Sequence, residues 1–224
     1  YQSPESPRSM KLLTRFSFLL LCMCLFGACK EEEYVYPDVI TEFIGAATDE
    51  NGTLTRLVAD NGEKYRIQAR SGLDGLKKDT LYRTISIYQP LENQTVQLYS
   101  SELVLSMIPV SAKQIIGDIK TDPVDIERMW LSGKYLNMVL LAKVKEESHS
   151  YHFIDQGIQK EADGTQTLHL QLYHNRNNDY EAFTRKVYLS VPLWAYDGKL
   201  KQGDKIVFHI STYEEGDTQR EFIY

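Results

Sequence analysis

Leu168-His169-Leu170-Gln171-Leu172-Tyr173 alternates apolar and polar residues with a period of two. Successive side chains of an extended chain point to opposite faces, so this run reads as a strand with one buried and one solvated face. Val187, Leu189 and Val191 repeat the pattern against Tyr188 and Ser190, as do Ile206, Phe208 and Ile210 against Val207, His209 and Ser211. Leu136 to Val144 is nearly continuous apolar sequence, as expected of a strand covered on both faces. Polar turns at Asp163-Gly164, Asp197-Gly198, Gly203-Asp204 and Gly216-Asp217 separate such runs. Long alternating strands with polar turns predict a β-sandwich over 118–224. Its expected core is Leu136, Val139, Leu141, Leu168, Leu170, Leu172, Val187, Leu189, Val191, Ile206, Phe208 and Ile210.

Upstream the steps are shorter. Apolar β-favouring runs at Val39–Ala47, Leu54–Ala59, Lys64–Ala69, Tyr82–Tyr88 and Thr95–Leu105 are separated by Asn51-Gly52, Asp60-Asn61-Gly62 and the Gly72/Gly75 loop. Ile85 and Ile87 share one face of the fourth run. Five short strands predict a small OB-like barrel over 36–110, with the junction in the Pro- and Gly-containing stretch from Met107 to Lys120. The fold class is therefore all-β, an N-terminal OB-like barrel followed by a C-terminal β-sandwich.

The N-terminal residues carry an address rather than a fold. Residues 1–9 precede Met10 and are set aside as an upstream extension. Residues 10–28 read as a secretory signal, with Lys11 and Arg15 as its positive region and Phe16 to Phe26 as an apolar core of about ten residues. That core is short of the roughly 20 residues a membrane-spanning helix needs. Leu25-Phe26-Gly27-Ala28-Cys29 resembles a bacterial lipobox, which implies lipidation at Cys29; the alternative is a plain secretory signal. Lys30, Glu31, Glu32 and Glu33 resemble the export signal of surface-exposed Bacteroidetes lipoproteins, and equally make an acidic tether over 29–35. The implied location is the outer membrane, on its exposed side.

All three cysteines, Cys22, Cys24 and Cys29, lie in or at the end of that signal, so no cysteine is left for disulfides, zinc thiolates or catalysis. The 224 residues carry 31 acidic and 25 basic side chains. Removing residues 1–28 takes away Glu5, Arg8, Lys11 and Arg15, leaving 30 acidic against 22 basic and a net charge of −8. Such a body has no basic field for nucleic acid, and none to hold it to an anionic bilayer without acyl chains.

The lipobox, the barrel-half turn Asp60-Asn61-Gly62 and the segment Trp130-Leu131-Ser132-Gly133-Lys134-Tyr135-Leu136-Asn137-Met138 together resemble the NigD-like lipoproteins. The resemblance implies an OB-type domain followed by a β-sandwich, a cell-envelope lipoprotein and a bacteriocin-immunity role. It brings no catalytic residues.

Motifs for catalysis are missing: G-x-S-x-G, Walker A, G-x-G-x-x-G and H-E-x-x-H do not occur. Spacing on extended chain separates His149 from His152 and His169 from His174, while His169 and His209 could meet if their strands are neighbours. Without a carboxylate beside them they read as solvent-face residues, and no metal or cofactor is expected. The acidic groups Asp49/Glu50 and Glu214/Glu215/Asp217 read as solvated turns. The binding candidates are Tyr173, Asn175, Arg176 and Tyr180, which frame a polar loop with an aromatic at each end. Phe183, Tyr196 and Tyr213 also sit in or beside polar loops, and the alternative for the segment from Tyr173 to Tyr180 is a hairpin connection whose tyrosines cover sheet edges. Asp79-Thr80-Leu81 resembles an O-glycosylation tripeptide, with Thr80 as acceptor. The expected function is non-enzymatic binding of a protein or peptide toxin, with a surface glycan- or protein-binding module as the alternative. A hydrolase built from scattered carboxylates is the least favoured reading.

Overall fold

The computed structural model describes residues 36–224. Cys29 and the Lys30–Glu33 run, like the signal segment, lie outside the described residues. Five strands, β1 (Ile40–Thr48), β2 (Leu54–Val58), β3 (Lys64–Ile67), β4 (Leu81–Pro90) and β5 (Thr95–Leu103), close a barrel in the order β1-β2-β3-β5-β4. β3 and β5 run parallel and β4 returns antiparallel to β1, an OB-like topology. Ile44, Leu57, Val96 and Leu98 fill its interior.

The face reading of β4 is reversed from a simple apolar-inward rule. Thr84, Ser86 and Tyr88 are buried, whereas Ile85 and Ile87 point outward. The hydroxyls are matched: Thr84 Oγ1 donates to the Ile44 carbonyl at 2.9 Å, and Ser86 Oγ lies 2.8 Å from Thr84 Oγ1 and 2.9 Å from Ser101 Oγ. Polar groups that bond each other lose little on burial, so a narrow barrel can hold them.

The rest of the chain forms two packed sheets. β6 (Leu105–Ser106), β12 (Phe183–Pro192), β9 (Tyr135–Val144) and β8 (Asp125–Ser132) make a four-stranded sheet in that order. β14 (Gly216–Ile223), β13 (Lys205–Thr212), β11 (Gln166–Asn175), β10 (Ser150–Lys160) and β7 (Val110–Ser111) make a five-stranded one. Leu136, Met138, Leu140, Leu168, Leu170, Leu189, Ile206 and Phe208, all fully buried, form the core between them.

Three sequence expectations shift. The sandwich starts earlier than residue 118: β6 and β7 already belong to its two sheets, and the chain leaves the barrel at Val104, whose N–H donates to the Arg83 carbonyl. Val139 and Leu141 lie on the outer face of β9, because its inward phase is Leu136, Met138, Leu140, Ala142 and Val144. The continuous apolar run of β9 nonetheless has its reason. Val139 is buried from outside, against Phe43 and Val104 at the junction with the barrel.

Candidate functional site

Barrel and sandwich meet where β4 turns Arg83 and Ile85 outward onto β9 and β12. Arg83 Nη1 and Nη2 donate to the two Asp60 carboxylate oxygens at 2.5 and 3.0 Å, and Nη2 also donates to Asn137 Oδ1 at 2.9 Å. Arg83 Nε donates to Ser190 Oγ at 3.2 Å, and Ser190 Oγ donates to Asn137 Oδ1. The guanidinium lies 3.7 Å from the centre of the Tyr135 ring. Beside this polar cluster, Phe43 meets Trp130 and Tyr188 edge-on, with ring centres 5.1 and 6.0 Å apart. Sequence reasoning saw Asp60 only as a turn residue and passed over Arg83. The signal was there: an arginine in the middle of a strand of β-favouring residues, between Tyr82 and Thr84, needs a partner once it is covered.

Along the rim of this junction runs a groove of about 740 Å3 lined by Leu81, Leu103, Leu105, Ile108, Tyr135 and Trp194. Leu103 is 70% exposed, Leu81 56% and Trp194 49%. Side chains this apolar and this open, brought together from three parts of the sequence, form a contact surface that local sequence patterns cannot reveal.

The loop singled out from the sequence is shorter than expected. Tyr173 and Asn175 belong to β11, on its outer face, and only residues from Arg176 onward form the connection. Arg176 is engaged: its N–H donates to Asp122 Oδ2 at 2.8 Å and its guanidinium to Glu181 Oε1 at 3.0 Å, an oxygen that Tyr213 also reaches. Asn175 Oδ1 accepts the Asn177 N–H at 2.9 Å. Tyr180, 75% exposed, presents its ring to solvent with Lys145 Nζ 5.5 Å from the ring centre. The four residues therefore do not converge on one pocket.

Beneath this loop lies a buried chain of titratable groups. His174 Nδ1 donates to the Asp122 carbonyl at 2.7 Å, which leaves Nε2 facing His149 Nδ1 at 2.9 Å. His149 Nε2 faces Asp179 Oδ2 at 3.2 Å, and both side chains are nearly closed to solvent. The acceptors at the two ends, the Asp122 carbonyl and the Asp179 carboxylate, call for a proton on each outer nitrogen. Burial by itself would raise the Asp179 pKa. The N–H groups of Lys145, Glu146 and Glu147, together with His149, outweigh it and hold the carboxyl well below its ordinary value. Burial pushes the His174 pKa down, partly offset by its bond to Asp122. Tyr151 stacks on His174 with ring centres 4.7 Å apart. This network pins three loops together.

Other expectations find their places. His169 and His209 do meet, on neighbouring parallel strands, with Nδ1 and Nε2 3.1 Å apart. Among the described residues no group of three or more His, Cys, Asp or Glu side chains is placed to hold a metal ion. Asp49 Oδ1 accepts the N–H groups of Asn51 and Thr53, and Glu215 pairs with Arg220, so both acidic groups close turns. Thr80, half-buried, donates its hydroxyl to the Lys78 carbonyl at 2.9 Å.

A family model, the NigD-like C-terminal beta sandwich domain, matches residues 106–224. Its start falls within β6, where the sandwich begins. The chain belongs to the NigD-like family. A NigD-like immunity protein from Bacteroides caccae is 31% identical, over 85% of this chain and 99% of that one, with a TM-score of 0.68. Two other structures share the fold at lower identity. A Bacteroides vulgatus protein of unknown function is 21% identical, with a TM-score of 0.63 over 83% of this chain and 91% of that one. A protein described as a putative lipoprotein from Bacteroides fragilis is 14% identical, with a TM-score of 0.57 over 84% and 97%. No curated protein matches the chain. In this NigD-like chain the segment Trp130–Met138 and the turn at Asp60, which carry the family resemblance, are the residues that lock barrel to sandwich. Among the described residues no helix is long and apolar enough to cross a membrane.

Proposed function

We propose that this protein is a non-enzymatic cell-envelope lipoprotein, anchored through Cys29, that acts by binding an apolar segment of a proteinaceous toxin in the groove at the barrel–sandwich junction. The observation that carries the reading is the set of large apolar side chains left open there, Leu81, Leu103, Leu105, Ile108 and Trp194. Domain junctions are favoured places for ligand sites, and apolar area on a rigid base is what a protein contact needs. The Bacteroides caccae relative bears the name of an immunity protein, and a tether supports that role. Anchoring raises the local concentration of an interceptor without demanding high intrinsic affinity. A net charge of −8 would also speed encounter with a basic toxin, an effect that weakens as salt rises.

The test is deletion of the gene, challenge with secretions of related strains, and complementation with the native chain, Leu103→Asp or Cys29→Ala. Native complementation should restore protection and Leu103→Asp should lose it while the protein stays folded. Cys29→Ala should release the protein from the membrane and weaken protection. Unchanged sensitivity after deletion removes the immunity reading. If Leu103→Asp instead converts a dimer of the purified protein to monomers, the groove belongs to a second copy of the chain.

A further inference from the structure

The outer face of the five-stranded sheet carries a second surface, remote in chemistry from the apolar groove. The register sets Gln171 of β11 beside His209 of β13, and His209 opposite Gln219 of β14. On the other side Gln156 Nε2 of β10 donates to Gln171 Oε1 at 3.0 Å. His169, two residues before Gln171 and so on the same face, stacks on His209 with ring centres 5.4 Å apart. Amides and imidazoles thus cross four strands in an unbroken row, in a groove of about 590 Å3 with Thr121, Ser211 and Asp217 at its edges. Leu172 and Ile210 border the groove only as walls, each being 3% exposed.

We propose that this row is a binding site for a neutral saccharide. Each glutamine amide sets a carbonyl acceptor beside an NH2 donor, and the paired imidazoles leave one ring nitrogen each to add to them. That mixture matches hydroxyl groups, which donate and accept at once. An anionic ligand would need a fixed cation, but the groove contains no Lys or Arg and the Asp217 carboxylate stands at its edge. An apolar peptide would strip water from the amides without replacing their hydrogen bonds, at a cost for each. Burial, and after it the neighbouring His169, pushes the His209 pKa below its ordinary value, which disfavours a fixed positive charge in the row. Tyr173 follows Gln171 on the same face, about 7 Å further along the strand. Its ring is held edge-on by His152, with ring centres 5.8 Å apart, and offers a platform for the C–H face of a sugar ring. From β10 to β14 the row spans three strand spacings, about 14 Å, which suits a short oligosaccharide rather than a single sugar.

The test is calorimetric titration of the full mature chain with maltohexaose, cellohexaose, laminarihexaose and mannohexaose. Hexagalacturonate serves as the anionic control. At least one neutral hexasaccharide should bind, and Gln171→Ala and Gln219→Ala should each weaken it by about tenfold or more. Both variants change exposed or half-exposed side chains, and unchanged unfolding midpoints confirm that they fold. Leu103→Asp in the junction groove should leave saccharide binding intact, so failure here and failure of the toxin reading are told apart. The proposal is overturned if no neutral hexasaccharide binds, if binding survives both glutamine substitutions, or if hexagalacturonate binds equally well. Displacement of a bound saccharide by an apolar peptide would assign the row to peptide instead.

Discussion

Arg83 and Asp60 form a two-pronged ion pair with side chains only 4% and 10% exposed, one on a barrel strand and the other on the β2–β3 turn that abuts the sandwich. Two charges removed from water are tolerable only while they satisfy each other, and losing one partner leaves the other uncompensated. Asp60→Ala should therefore destabilise the protein by about 3–5 kcal/mol, read as a fall in the urea unfolding midpoint. Asp60→Leu combined with Arg83→Met should cost much less than either change alone. A double variant as unstable as the sum of the two singles would show that charge pairing is not what the cluster supplies.

Gly133 is fixed by the same contact. Its φ is +53°, and a Cβ there would stand 2.5 Å from the Asp60 carbonyl oxygen. Both the left-handed backbone and the close approach oppose a side chain. Gly133→Ala should lower the unfolding midpoint, whereas Gly216→Ala, at an open turn with a left-handed φ of +69°, tests the backbone effect alone. Thermal unfolding of the two variants separates the effects, and equal losses would mean that the approach to Asp60 gives way easily.

Most of the architecture was legible in the sequence because period-two alternation and Gly/Asn/Asp turns are local signals. Leu168, Leu170, Leu172, Ile206, Phe208 and Ile210 occupy the core that their alternation assigns them. What was not legible depends on which strands become neighbours. The apolar run of β9 says that both faces are covered but not which face meets the barrel, so Val139 and Leu141 were placed inside. The histidines of β11 and β13 pair only because those strands are parallel neighbours. The junction groove gathers Leu81, Leu103 and Trp194 from far apart, and no window of sequence contains all three.

The two faces of β9 give a direct energetic contrast. Leu140 is fully buried in the sandwich core, and Leu141 beside it is only half-buried on the other face. Truncating a buried leucine loses transfer energy and leaves a cavity, so Leu140→Ala should cost about 2–5 kcal/mol. Leu141→Ala should cost clearly less. Chemical denaturation of both variants decides it, and equal losses would reverse the assignment of inward phase along this strand.

The buried chain His174–His149–Asp179 gives the protein a pH dependence of predictable sign. His174 is held below its ordinary pKa chiefly by burial, so in the unfolded chain it takes up a proton at a higher pH than in the folded one. Stability that is complete above the unfolded histidine value of about 6.5 is then lost progressively as pH falls below it. Protons on both facing nitrogens would also set N–H against N–H at the 2.9 Å contact. The groups around the pair do not remove this penalty. Asp122 lies on one side, the Arg176 charge opposes protonation, and Tyr151 with Arg185 and Tyr213 beyond it supplies no carboxylate. Asp179, held low, adds a second loss only below about pH 4, as its carboxylate begins to be protonated in the unfolded chain. The urea midpoint should therefore fall between pH 7 and pH 5, and His174→Phe, whatever its own stability, should flatten that fall. His152→Phe, at an exposed site on the neighbouring strand, should leave the slope unchanged. An unaltered slope in His174→Phe would place the pH-sensitive group elsewhere in the molecule.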